Sequence, residues 1–113
     1  MPLDLTSRLQ AAIGDATSRD ACLLLSHNPD VAEKLRDPRV GLILSGHTHG
    51  GQVTFFGLRA PFVPSRYGQK YRTGTVDTGF TTVIISNGIG TIPPPVRFFA
   101  RPEIVLVHLE RGP

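Results

Sequence analysis

Residues 42–53 read Leu-Ile-Leu-Ser-Gly-His-Thr-His-Gly-Gly-Gln-Val. An apolar run breaks into a polar turn in which two histidines, His47 and His49, are framed by Gly46, Gly50 and Gly51. A short continuous apolar run bounded by a turn reads as a buried strand, here Arg39–Leu44. Glycines after it allow backbone conformations closed to other residues and let the chain pass close to a ligand. Working upstream, Ala21–Leu25 is a second apolar run followed by Ser-His-Asn-Pro-Asp, which places His27 two residues past its end. Both runs suit strands buried on both faces, as in parallel sheets.

The elements around these strands complete an α/β pattern. Leu5, Leu9, Ala12 and Ile13 fall at helical spacing, with Asp4 or Thr6 as cap and Gly14 as terminator. Pro29 at a first helical position predicts a short helix through Val31–Leu35, and Asp30 suits its first turn. Gln52–Phe56, Thr81–Ser86 and Glu103–Leu109 carry strand-forming residues. Gly57–Tyr71 reads as a long loop, of the kind that is functional when ordered. Its rings and prolines predict order.

In open α/β sheets, ligands sit just beyond the carboxyl ends of the strands. If the two runs are parallel neighbours, His27, His47 and His49 share one rim. Neutral imidazole suits divalent Zn, Fe or Mn. A single strand-end histidine is ordinarily solvated, and His108 is read that way; the glycine-framed pair supports metal binding. Arg59, Arg66, Lys70 and Arg72, with Tyr67 and Tyr71, give the long loop a basic, aromatic character. This suits a substrate phosphate or an anionic lipid surface, with a solvated basic loop as the plain alternative; Arg66 and Tyr67 are the candidate substrate contacts. Arg97 either reaches the site or pairs with a carboxylate such as Glu103.

The 113 residues allow one small domain. Charged residues make up 19%, below the usual ~25%, as if some surface were to be covered. The net charge is +3, with ten of twelve basic residues Arg; apart from the long loop the basic residues are spread out, which argues against a nucleic-acid domain. The single cysteine, Cys22, excludes an internal disulfide and is expected to be buried and inert. Met1–Gln10 lacks the pattern of a signal peptide, and no run approaches a membrane span. The expected location is cytoplasmic, with the membrane surface as a refinement.

The sequence resembles the calcineurin-like metallophosphoesterases, most of all a bacterial branch of phosphodiesterases and pyrophosphatases acting on lipid-linked substrates. The matching stretches are LLLSHNPDV (23–31), LILSGHTHGGQV (42–53), APFVPSRYGQKY (60–71), SNGIGT (86–91) and PPVRFFARPEIVLVHL (94–109). The resemblance implies part of a sandwich of mixed sheets flanked by helices, with residues 1–113 as a single partial domain, its C-terminal portion. It implies a site of two divalent metal ions (Mn, Fe or Zn), with His27 and His47 on the second metal and His49 on the first. The family's earlier Asp-x-His, bridging Gly-Asp and Gly-Asn-His motifs are missing here, and Gly14-Asp15 does not sit where a bridging motif would. No catalytic residue is therefore assigned. The implied function is phosphoester hydrolysis by a fragment that needs an N-terminal half. The alternative is a non-catalytic metal-binding or self-associating module.

Overall fold

In a computed structural model that describes residues 4–112, three parallel or antiparallel pairings build one mixed sheet. Met1–Leu3 and Pro113, the ends of the expected unit, lie outside the described residues. Helix α1 (Leu5–Ile13) is capped by Asp4, whose Oδ1 accepts from the Ser7 amide at 2.7 Å, and ends at Gly14 with φ 61°. Strand β1 (Cys22–Leu25) leads to the short helix α2 (Val31–Lys34) and then β2 (Val40–Ser45). A hairpin follows, β3 (Gly74–Asp77) and β4 (Thr82–Ile85). The strand order is β1-β2-β4-β3; β2 is parallel to both β1 and β4, and β3 is antiparallel to β4.

The registers align Leu24, Ile43, Val83 and Val76 across one face. Leu9 and Ile13 of α1, with Val31, Ala32 and Leu35 in and after α2, pack into the same core as these residues. Tyr71 is completely buried in this core. The other face carries the rows Leu23–Leu42–Thr82 and Leu25–Leu44–Ile84. It has no helix layer, and Leu25 is 73% exposed. The expectation that β1 is buried on both faces is therefore corrected: β1 alternates half-buried and exposed, because among the described residues no helix packs on that side and only the C-terminal segment borders it. Cys22 is likewise half-buried rather than buried.

Several local expectations are also revised. Pro29 precedes the cap residue Asp30 instead of opening α2, and Asp30 makes no side-chain cap bond. Its carboxylate instead accepts from the Ser65 hydroxyl at 2.5 Å and the Arg66 amide at 2.9 Å, fastening the long loop. Gln52–Phe56 forms only isolated bridges, Val53 with Phe98 and Phe55 with Arg59. Among the described residues Glu103–Leu109 forms no strand and joins neither edge of the sheet; Ile104 and Leu106 are almost fully exposed. β3 was not expected from the sequence. Among the described residues no helix is long and apolar enough to cross a membrane.

Candidate metal centre

The parallel pairing of β1 and β2 brings their carboxyl ends side by side. The Ser26 amide donates to the Leu44 carbonyl at 3.0 Å, and the Gly46 amide donates to the His27 carbonyl at 3.3 Å. The strand ladder thus runs on into the two histidine turns. The His27 and His47 ring centroids come within 4.6 Å, tilted at 58°. His27 is exposed and His47 half-buried, so both rings remain open to a ligand.

The second turn is conformationally unusual. Gly50 and Gly51 have φ of 64° and 81°, but so do non-glycine residues: His47 at 70°, His49 at 53° and Gln52 at 55°. The left-handed conformation is therefore carried by both histidines as well as the glycines. Such residues cost about 1–3 kcal/mol each and persist only where the surroundings hold them, which is most often at functional sites. Here the surroundings are visible. Buried Thr48 donates its hydroxyl to the Arg72 carbonyl at 2.6 Å, and Arg72 donates to the Gly50 carbonyl at 2.9 Å. Gln52, 6% exposed, donates from Nε2 to the Ile92 and Pro94 carbonyls and accepts from the Ile92 amide. Gly51 lies so close to Ala60 that a Cβ added there would meet the Ala60 Cβ at 2.2 Å.

His49 is held apart from the other pair. Its Nδ1 lies 3.2 Å from the Gly90 carbonyl. A carbonyl only accepts, so this contact favours the proton on Nδ1, and in the neutral ring Nε2 is then the nitrogen with a lone pair. That is the arrangement in which metal-ligating histidines are commonly oriented. Among the described residues, however, no three His, Cys, Asp or Glu side chains converge on one point. The chain brings together His27 and His47 and orients His49, but brings no carboxylate to them. A two-metal set does not fit these residues by themselves.

Of its two expected roles, Arg97 takes the first: it reaches the histidine turn and does not pair with Glu103. Its guanidinium donates to the carbonyls of His49 (3.1 Å), Ala100 (2.8 Å), Asn87 (2.9 Å), Gly88 (3.3 Å) and Gly90 (2.5 Å). Glu103 instead accepts from the Asn87 amide at 2.8 Å. A single arginine thus clamps the two turns that hold His49. Its place among Val96, Phe98 and Phe99 was the available signal: a charged group in an apolar stretch needs partners.

Arg66 and Tyr67 border a shallow hollow with Asn28, the neighbour of His27, and with Asp30 and Lys34. The Arg66 side chain is exposed, whereas Tyr67 packs edge-on against Tyr71 at 5.9 Å. Below them, Glu33 accepts from Lys70 Nζ at 2.7 Å and from the Tyr71 hydroxyl at 2.6 Å. The Lys70 and Tyr71 hydrogen bonds hold the Glu33 carboxyl below its usual range. Burial, followed by the Glu33 bond, pushes the Tyr71 hydroxyl up to about 12.

No family model and no solved structure matches this chain. Curated relatives do. The chain is 43% identical over 90 residues to the uncharacterized metallophosphoesterase YkuE of Bacillus subtilis, covering 78% of this chain and 30% of that protein. It is 36% identical over 87 residues to the phosphodiesterase YaeI of Escherichia coli, covering 77% and 32%. A putative metallophosphoesterase of Caenorhabditis elegans, F40B5.2, is 36% identical over 113 residues, covering 89% and 21%. The chain belongs to the metallophosphoesterase family, a family of hydrolases. It spans about a third or less of the length of these relatives.

Proposed function

We propose that this chain is the histidine-bearing, C-terminal part of a metal-dependent phosphoester hydrolase, with His27, His47 and His49 as ligands to two divalent ions. The observation that carries the reading is the approach of the His27 and His47 rings to 4.6 Å at the ends of adjacent parallel strands. The missing donors are carboxylates, and they come from a segment outside this chain. With both sides present, paired cations held there would supply a bound water of lowered pKa and would neutralise phosphoryl charge. This chain's own contribution is to fix the imidazoles: the ladder joins the two turns, Arg97 clamps the second, and the Gly90 carbonyl favours one His49 tautomer. Arg66 and Tyr67 stand beside the His27 turn as contacts for the phosphoester, and a lipid-carried phosphoester fits the basic, aromatic loop.

The bare sheet face supports the same reading. Leu23 and Leu25 are 42% and 73% exposed, and exposed apolar surface of this kind marks an interaction site. A partner segment from the same enzyme covers it; self-association of a non-catalytic module is the rival occupant. The experiment is to titrate the purified chain with Zn²⁺ or Mn²⁺ by calorimetry and to assay hydrolysis of bis(p-nitrophenyl) phosphate. Hydrolysis is expected only after adding the complementary N-terminal portion of a relative such as YkuE, and His47→Ala abolishes it. Tight metal binding with no hydrolysis under complementation, or dimerisation alone, would favour the rival.

A further inference from the structure

The loops on either side of Arg97 expose a compact set of rings that the metal reading does not use. Leu58, Phe56 and Phe55 are 83%, 75% and 62% exposed, and Phe98 and Phe99 are each just over half exposed. Three of the rings adjoin one another. Phe56 lies 5.3 Å from Phe99, and Phe98 meets Phe99 edge-on at 4.7 Å. These are not loose loop tips. Phe56 and Phe99 have φ of 54° and 52°, and the two loops are bonded together from beneath. The Thr54 amide donates to the Phe98 carbonyl at 2.9 Å, and the Phe98 amide donates to the Gln52 carbonyl at 2.9 Å. The Thr54 hydroxyl, buried, donates to the Phe98 and Phe99 carbonyls at 3.2 and 3.1 Å. Arg72 donates to the Gly57 carbonyl at 2.8 Å. The fold holds apolar rings outward on a rigid base.

The charge beside them is mainly basic; the nearest carboxylate in sequence, Glu103, is bonded to the Asn87 amide at 2.8 Å. From Pro38 to Pro102 the sequence carries one acidic residue, Asp77, and seven basic ones. Arg59, paired with Phe55, and Arg101, two residues past Phe99, are both exposed. A protein interface normally rims its apolar centre with polar groups and depletes it of charge. Exposed rings with the exposed Arg59 and Arg101 beside them match the interfacial zone of a bilayer, where aromatic side chains settle and arginines reach anionic headgroups.

We propose that Phe55, Phe56, Leu58, Phe98 and Phe99 insert into the surface of an anionic membrane, with Arg59 and Arg101 on its headgroups. The patch adjoins the histidine turn: Arg97, between Val96 and Phe98, donates to the His49 carbonyl. A membrane-seated protein therefore presents that turn next to the lipid surface. The inference stands whether or not the histidines hold metal.

The test is sedimentation of the purified protein with vesicles of phosphatidylcholine, with and without phosphatidylglycerol. Strong binding is expected only with phosphatidylglycerol present. The double change Phe56→Asn, Phe99→Asn, chosen because Asn tolerates left-handed backbone, lowers partitioning by more than about a hundredfold. Arg59→Gln with Arg101→Gln lowers it by about tenfold to thirtyfold and removes the preference for anionic lipid. Circular dichroism of each variant confirms that the fold is retained. Failure to bind either vesicle, binding indifferent to both double changes, or a dimer abolished by the Phe changes without vesicle binding would each overturn the proposal.

Discussion

Replacing Gly51 by Ala tests the packing that shapes the histidine turn. Two costs add. Gly51 has φ 81°, and a non-glycine residue held in the left-handed region costs about 1–3 kcal/mol. The new methyl would also meet the Ala60 Cβ at 2.2 Å and the Arg72 Cδ at 3.3 Å. The arginine can shift slightly, but Ala60 is buried, 1% exposed, and has no rotamer to change. The backbone must move, at a cost typical of overpacking, about 1–3 kcal/mol. The expected loss is about 2–6 kcal/mol from both terms, read as a shift of the urea midpoint by circular dichroism. Gly68→Ala is the control: φ is 62° and nothing lies within 4 Å of the added Cβ, so only the conformational cost applies. In the pair Gly51→Ala, Ala60→Gly, the methyl that blocked the turn is gone and part of the loss is recovered. If Gly51→Ala costs no more than Gly68→Ala, the close approach to Ala60 is wrong, and so is the account of how the turn is held.

Thr48→Val strips the hydroxyl from the buried Arg72 carbonyl, and thermal melting should show a loss of about 1–3 kcal/mol. Asp37 accepts from the side chain and backbone of Arg39, which lowers its carboxyl to about 2 from 3.8. Its contribution to stability is complete above pH 3.8 and disappears as pH falls through 2; NMR titration should show the midpoint rising in Arg39→Met. Tyr71 behaves in the opposite sense. Its neutral form is favoured in the fold, so stability is complete below pH 10 and lost as pH rises through about 12, and Glu33→Gln moves the ultraviolet ionisation midpoint part of the way back. In calorimetry, His27→Ala and His47→Ala each weaken Zn²⁺ binding by at least about tenfold, whereas His108→Ala, 83% exposed and away from the sheet rim, leaves it unchanged.

The strands that position the histidines were legible because each is a continuous apolar run, and a short run of that kind bounded by turns reads as a strand, although β1 lies at the edge of the sheet and not in its middle. Cys22–Leu25, Val40–Ser45 and Thr82–Ile85 follow that rule. The sequence misled where strand propensity lacked a partner. Glu103–Leu109 is as β-prone as any of them, yet a strand needs a ladder, and among the described residues this segment joins neither edge of the sheet. Gly74–Asp77 carries no pattern that gives it a reading in the sequence, and it becomes a strand through its pairing with Thr82–Ile85. The strand-end rule placed His27 and His47 together, since adjacent parallel strands end at one level. It could not place Arg97 or Gln52, whose roles depend on carbonyls of loops far away in sequence.

The parallel pairing of β2 with β4 also sets how the chain reaches this shape. Leu42 pairs with Thr82, so about forty intervening residues must be gathered before the central ladder forms, an ordering cost that grows as the logarithm of the loop length. The β3–β4 hairpin is local and can form early, with Arg36 stacked 4.1 Å over Phe80 to dock its turn beside α2. Long-range pairing after a local nucleus slows folding. Loosening the hairpin at Thr78, whose hydroxyl donates to the Thr81 carbonyl, therefore retards refolding more than it speeds unfolding.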